Sequence, residues 1–331
     1  MLRYLVYPRN LYEIAQSYLS DIDRLWKKSP EEIDRFRNKM FKKLYNYSKK
    51  VPLYREKFKG IGSVGGIDDI ETLPFVHKSD FREWFPDGLI DNKERKDLVI
   101  ISTSGSTGKP VSIYRSLSSF LRGEILSVRV LKAHGLDCKK DKIMVIGDFA
   151  IEDSYDHKMK NLIEILGLSR FTRNIRFVPF DLSIEEMCKI FGNFKPKCIS
   201  GYPRVLAELT REATKKKIDI SSVTHIMSSG YVLDPFTKEY LETTYGTKVI
   251  DVYGSIEIDT AIFQCAEGLY HVSYDLFHIE LLDDEYQKVA PGEVGRVIAT
   301  RLYGRDTPII RYTGLDAVSY THLTLPTTER V

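Results

Sequence analysis

Residues 99–114 read VIISTSGSTGKPVSIY, and within that run Ser102 to Lys109 offer five hydroxyls, two glycines and a cation. That composition suits an anion. Gly105 and Gly108 let the backbone approach closely. Successive N–H groups can form an anion nest. Ser102, Thr103, Ser104, Ser106 and Thr107 supply hydroxyl donors, and Lys109 supplies charge. It is not a P-loop, which needs Gly, four residues, then Gly-Lys-Ser/Thr. Thr103 stands where the first Gly belongs, and Pro110 stands where the hydroxyl belongs. There is no G-x-G-x-x-G either. On the loop alone, a phosphate site and a polar hairpin tip stand level.

Further residues with chemical potential lie downstream. DVYGSIEI (251–258) carries Asp251, Tyr253, Gly254, Ser255 and Glu257. A lone carboxylate suits a hard cation that keeps several waters, but Glu257 also reads as an exposed strand-end acid. Tyr253 reads equally as a half-buried aromatic at a strand end. SSGYVLDP (228–235) carries Ser229, Gly230 and Tyr231, and PIIRYTGLD (308–316) ends in Asp316. Tyr202, Pro203, Ile256 and Ile258 are apolar candidates for a pocket and equally candidates for core. Cys265 and His271 are two ligands, and two do not close a tetrahedral site, so no zinc is expected.

The elements that must position these residues follow from periodicity. Residues 11–60 read as helical. SPEEIDRFRNKMFKKLYNYSKKV opens with Ser29 as N-cap and Pro30 at the first position, and Ile33, Phe36, Met40, Leu44 and Tyr47 mark one buried face. HKSDFREWFPDGL is a short helix with Ser79 as its expected cap. From residue 98 apolar strands alternate with helices: DLVIIS, KIMVIGDF, IRFVPF, KCISGY, VTHIMSSG and KVIDVYG are strands. Gly135 is the expected stop of the helix that follows VSIYRS. This alternation argues for parallel strands covered on both faces. After residue 262 the chain is β-rich, with turn chemistry at DDEYQKVAPGE. The fold class expected is therefore α/β, with layered parallel sheets covered by helices, then a small antiparallel β-barrel-like subdomain. The expected divisions are 1–97 (helical), 98–262 (α/β core), 263–318 (β-rich) and 319–331 (a divergent or non-native tail).

Composition excludes several classes. The 331 residues carry 49 Lys and Arg against 46 Asp and Glu, a net charge of +3. That is no nucleic-acid footprint, which needs a clustered basic face. No apolar run approaches the ~18 residues of a membrane span. Cys138, Cys188, Cys198 and Cys265 have no framework spacing, so reduced thiols in a cytoplasmic protein are expected.

Taken in order, these motifs resemble the adenylate-forming enzymes, the superfamily of acyl-CoA synthetases, luciferases and peptide-synthetase adenylation domains. The branch most resembled is that of phenylacetate–CoA ligase, through LPFVHKSDFREWFPDGL, VPLYREKF, STSGSTGKP, DVYGSIEI and PIIRYTGLD. The resemblance spans roughly residues 30–318. It implies an AMP-forming ligase that activates an aryl or other carboxylic acid with ATP and Mg²⁺, then transfers the acyl group to CoA. It implies that Thr103 to Lys109 hold the β- and γ-phosphates, with Glu257 as the Mg²⁺ ligand. Ser229, Gly230, Tyr231, Asp251, Tyr253, Gly254 and Ser255 would surround the adenosine, and Asp316 would bind the ribose. Tyr202, Pro203 and Ile256 would line the acyl pocket.

One departure is Leu315, where the family has Gly, with Gly314 one place earlier. The family continues into a mobile domain carrying an adenylation Lys. VSYTHLTLPTTERV does not resemble its hinge, so a truncated chain with impaired turnover is expected. The alternative is an adenylate-binding accessory protein of surface-polysaccharide biosynthesis. A homodimer stays open.

Overall fold

In the computed structural model the described residues are 20–103, 110–150, 154–165, 172–290, 293–315, 317–319 and 323–324. They fall into two units. One lies within Met1–Arg129, Ser255–Ala261 and Tyr270–Val331, and the other within Val130–Gly254 and Ile262–Leu269. The strands, in chain order, are β1 (Leu98–Ser102), β2 (Ser112–Ser116), β3 (Ile143–Gly147), β4 (Ile175–Pro179) and β5 (Cys198–Gly201). There follow β6 (His225–Ser229), β7 (Val249–Ser255), β8 (Asp259–Gln264), β9 (Tyr270–Val272), β10 (Phe277–Leu282), β11 (Val294–Arg301), β12 (Ala317–Ser319) and β13 (Leu323–Thr324).

The second unit is the α/β part. Its parallel strands run in the order β7–β6–β5–β3–β4. Neighbouring residues on each strand point to opposite faces, and both faces are buried. Met144, Ile146, Ile199, Ile226 and Val249 join one core, with Met187, Phe191, Leu206, Leu209 and Leu241 from the helices. Ile143, Cys198, Met227 and Ile250 join another, with Val130, Leu136 and Phe263. This is why the strands read as continuous apolar runs. The helices Ile184–Phe194, Pro203–Lys215 and Pro235–Tyr245 begin at Ser183, Tyr202 and Asp234. Ser183 forms a capping box with Glu186, and Asp234 accepts from the Thr237 N–H.

The first unit holds the helix Pro30–Ser48, with a capping box between Ser29 and Glu32. It also holds the β1–β2 hairpin and a three-stranded antiparallel sheet, β10–β11–β12. The chain is thus mixed α/β, a mostly parallel sheet flanked by helices together with small antiparallel sheets. The cap of the helix Lys78–Trp84 differs from expectation. It is His77, not Ser79, because the Asp80 carboxylate reaches back to the His77 N–H at 2.7 Å. Gly135 ends the helix Leu117–Ala133 in the left-handed region, φ +71°. Among the described residues no helix is long and apolar enough to cross a membrane.

Candidate functional site

The anion-loop residues belong to the first unit, and its hairpin frames them. β1 and β2 pair from Leu98 opposite Ser116 to Ser102 opposite Ser112. The Ser102 and Ser112 hydroxyls meet at 2.8 Å. The Thr103 N–H then donates to the Val111 carbonyl at 2.9 Å, and the Val111 N–H donates to Thr103 Oγ1 at 3.0 Å. The two strands expected on either side of residues 104–109 are therefore present and paired. Ser104, Gly105, Ser106, Thr107, Gly108 and Lys109 lie outside the described residues, and so does Asp316.

Below the hairpin, two buried guanidiniums grip the segment that carries Glu257. Arg115 on β2 is fully buried and makes two 2.9 Å bonds to the Asp259 carboxylate. Its Nη1 also donates to the Ile256 carbonyl at 2.9 Å. Arg301 on β11 donates to the Glu257 carbonyl at 3.1 Å and to Asp306 at 2.7 Å. The Tyr303 hydroxyl completes Asp259 at 2.5 Å. Such clamps fix a backbone well, since each guanidinium spends several planar donors at once. Asp259 adopts φ +51° under this hold.

The Glu257 side chain is itself buried, and its Oε1 accepts from the Tyr312 hydroxyl at 2.9 Å. Burial, then the adjacent Glu257 charge, pushes that hydroxyl's pKa well above its usual value. Tyr312 stacks on Phe81 with ring centroids 4.9 Å apart. Its backbone pairs with Ala299 in both directions, at 3.0 and 3.1 Å. The preceding Arg311 is bidentate to Glu280 at 2.7 and 3.0 Å. A Cβ on Gly314 would stand 2.2 Å from the tip of the Tyr312 ring, so the glycine is needed at 314, while Leu315 is buried.

Glu257 fits a Mg²⁺ that keeps water and phosphate ligands, because one oxygen is held by Tyr312 and the carboxylate has two. Among the described residues no group of three or more His, Cys, Asp and Glu side chains converges to hold a metal.

In the second unit the candidate residues gather at the carboxyl ends of parallel strands, the common location for ligands in such sheets. Three glycines stand there. A Cβ on Gly147 would meet the Asp156 carboxylate at 2.2 Å. One on Gly201 would meet the Ile146 carbonyl at 3.0 Å, and one on Gly230 would meet the Tyr202 ring at 2.6 Å. Gly230 also has φ +82°, so both its conformation and its neighbour demand glycine.

Tyr202 and Tyr231 are set edge to face, 5.1 Å between centroids and 86° between planes. With Asp148, Phe180 and Pro203 they line a cleft of about 1080 Å³. The structure therefore brings Tyr202, Pro203, Gly230 and Tyr231 together. Asp251 lies opposite Ser228 in the β6–β7 ladder, with Val252 opposite Ser229. The Asp251 N–H donates to Gln264 Oε1 at 3.4 Å. Ile256 groups with the other unit, where its carbonyl serves Arg115. The Ser255 hydroxyl accepts from the Glu257 N–H at 3.3 Å.

Three residues were missed in the sequence. Tyr312 sits inside a motif already singled out, so its signal was present. Asp148 and Asp156 follow the apolar strand β3, where a Gly-acid pair at a strand end was the available sign. Asp156 accepts the Asp148 N–H at 2.8 Å. Burial raises the pKa of both carboxyls. For Asp148 the Asp181 charge adds to this and the Tyr202 hydroxyl opposes it.

Residues 61–301 match the family described as AMP-binding enzyme. The chain is 24% identical to a phenylacetate–coenzyme A ligase of Pseudomonas putida over 277 residues, covering 79% of this chain and 60% of that protein. It is 24% identical to one from Thermus thermophilus over 302 residues, covering 85% and 64%. Among solved structures, 2-hydroxyisobutyryl-CoA ligase in its postadenylation state with 2-HIB-AMP superposes with a TM-score of 0.73 at 20% identity, covering 88% of this chain and 64% of that one. The chain thus spans about 60% of the length of the curated relatives it matches.

Proposed function

The chain belongs to the AMP-binding enzyme family, and on that premise we propose that it binds ATP and a carboxylic acid and joins them as an acyl-adenylate. A carboxylate oxygen attacks the α-phosphorus, and the bond to pyrophosphate breaks. The CoA thiol, giving up its proton, then attacks the acyl carbon and the bond to AMP breaks, releasing AMP and the thioester, the acceptor being the one that the names of the curated relatives suggest. The chemistry is positioning plus neutralisation of phosphate charge.

In this reading Ser102 and Thr103 anchor the loop whose remaining residues, through Lys109, hold the β- and γ-phosphates. Glu257 holds Mg²⁺, which when bound offsets the charge on the phosphate oxygens. Ser229, Gly230, Tyr231, Asp251, Tyr253, Gly254, Ser255 and Asp316 take the adenosine. Tyr202, Pro203 and Ile256 take the acid. Residues 98–262 carry most of this chemistry, and 263–318 add Asp316. ATP and CoA supply makes the cytoplasm the working compartment.

The observation that carries the reading is the Tyr312–Glu257 hydrogen bond. It ties a carboxylate suited to a metal to the motif that ends in Asp316, across 55 residues of sequence. Two buried arginines hold the same backbone. Saturating ATP with Mg²⁺ should raise the unfolding temperature, since a ligand bound by the native state alone must stabilise it. E257Q should lose most of the Mg²⁺-dependent part of that rise. Pyrophosphate exchange across a panel of aryl and aliphatic acids then identifies the acid. No thermal shift at saturating nucleotide would sink the proposal.

A further inference from the structure

A buried ionic cluster in the first unit lies outside the proposed reaction. Asp21 is fully buried, and its carboxylate accepts from Arg122 Nε at 2.5 Å and from Arg24. Asp275, also fully buried, holds Arg129 through bonds of 2.7 and 2.9 Å and Arg24 at 2.8 Å. Arg122 and Arg129 lie two turns apart on the helix Leu117–Ala133, so both reach the cluster from one face. The cluster therefore ties residues 21–24 to that helix.

Arg122 leads out of the cluster toward Glu257. Its guanidinium stands 5.2 Å from the centre of the Tyr303 ring. Arg301 stands 5.5 Å from the same centre, and Phe277 meets the ring edge to face at 5.7 Å and 75°. A cation over an aromatic face is attracted by the ring quadrupole, more strongly where water is excluded. The Arg122 side chain is 16% exposed, so solvent is its alternative, and the bond to Asp21 keeps it against the ring.

Tyr303 passes this hold on. It is buried, and its hydroxyl donates to Asp259 at 2.5 Å. Asp259 has φ +51°, a conformation that a residue with a side chain keeps only when its surroundings hold it there. Arg115 supplies one part of that hold and Tyr303 another. Glu257 lies two residues upstream, so the backbone that presents its carboxylate depends on both.

We propose that Arg122 is a positioning residue for the metal-binding carboxylate: held by Asp21, it sets the Tyr303 ring, whose hydroxyl fixes Asp259 and with it the backbone that carries Glu257. This rests on the reading of Glu257 as the Mg²⁺ ligand, and it extends that site to the segment around Asp21. A purely structural cluster would cost stability when cut and leave Mg²⁺ binding as it was. Groups that orient a metal ligand change metal affinity as well.

The test titrates ATP calorimetrically into the full chain, with and without Mg²⁺, and takes the ratio of the two affinities. R122Q should lower that ratio by about 3- to 10-fold. R122K keeps a cation for Asp21 and for the ring, and should recover most of the loss. Y303F should lower the ratio by a similar factor. The double variant R122Q/Y303F should fall no further than the weaker single one, because both changes cut the same path. S29A loses a helix cap away from these contacts and should leave the ratio unchanged while costing stability.

An unchanged ratio in R122Q overturns the proposal. So do single effects that multiply in the double variant, or an S29A ratio that falls as far as that of R122Q. Should R122Q not fold, Y303F decides, since an unchanged ratio there breaks the path at its middle link. A wild type whose ATP binding depends on Mg²⁺, with R122Q equal to it, loses this inference alone. A wild type without that dependence overturns the reading of Glu257, and the inference falls with it.

Discussion

The first unit buries carboxylates and the second half-buries them, and they treat them in opposite ways. In the first unit Asp259 and Asp306 are fully matched by Arg115 and Arg301, with the Tyr303 and Ser119 hydroxyls filling further acceptor positions. In the second unit Asp156 accepts the Asp148 N–H, and among the described residues the charges acting on Asp148 and Asp156 are those of other carboxylates. A buried ion pair with complete hydrogen bonding holds geometry. A carboxylate left uncompensated in a cleft is kept at a cost in stability and reads as a place for a ligand. The same side chain thus serves as a clamp in one unit and, at Asp148, lines a cleft in the other.

The clamp breaks hardest. R115M removes the guanidinium from Asp259 and from the Ile256 carbonyl, and leaves the buried carboxylate without its bidentate partner. Loss of one partner of a buried pair costs about 3–5 kcal/mol. Urea denaturation should show that loss. The double variant R115M/D259N should recover part of it, because the stranded charge is gone. If R115M unfolds like the parent, the guanidinium is not the clamp.

The difference between the two regions also explains what could be read from sequence. Local devices were legible. Ser29 as a cap, the stop at Gly135, and the two strands flanking 104–109 follow from neighbours a few residues apart. The parallel α/β class followed from apolar runs that turn out to be buried on both faces. The strand order β7–β6–β5–β3–β4 was not legible, because nothing local specifies which strand pairs with which.

The site residues divide in the same way. Glu257 announced itself through a motif, but its partner Tyr312 is 55 positions away and Arg115 lies 144 positions from Asp259. Asp148 and Asp156 gave the weakest signal, since they are set together by an N–H contact and a shared strand end rather than by a motif. The misplacement of a cap from His77 to Ser79 was a smaller error of the same origin, a side chain reaching back three residues.

Gly230 tests the cleft's own geometry. An alanine there meets two penalties, a left-handed backbone and a Cβ 2.6 Å from the Tyr202 ring. The expected loss is about 1–3 kcal/mol, accompanied by a changed near-ultraviolet circular dichroism as Tyr202 is displaced. Gly135 has a similar φ, +71°, with nothing within 4 Å of its Cβ position. G135A should therefore show the backbone part alone, about 1 kcal/mol. Equal losses at the two sites would remove the steric role given to Gly230.

Tyr312 tests whether the first unit's clamp is also part of a binding site. Y312F deletes a single hydroxyl from a buried pair, a change of about 1 kcal/mol in stability. Under the proposed function it should also weaken Mg²⁺-dependent nucleotide binding by about 3- to 10-fold, because Glu257 loses the group that aims it. Calorimetric titration of ATP with and without Mg²⁺ separates these effects. A stability loss with unchanged Mg²⁺ dependence would make Tyr312 a packing residue only.

The smallest effect carries the opposite sign from the clamp. Burial holds the Asp156 carboxyl above its ordinary range, and the neighbouring Asp148 charge adds to this while the Asp148 N–H opposes it. With the native pKa raised, the native state binds more protons than the unfolded chain in the interval between the two values. Stability then falls as pH rises through that interval. D156N keeps an oxygen for the Asp148 N–H and removes the charge. It should therefore be slightly more stable than the parent at pH 7, and the gain should fade below about pH 4, where the carboxyl is protonated in both states. D259N at pH 7 should instead lose stability, because its carboxylate balances Arg115. Denaturation midpoints at pH 7 and pH 4 for the two variants give the comparison directly. If both substitutions destabilise at pH 7, then Asp156 is compensated as Asp259 is, and the contrast between the two regions fails.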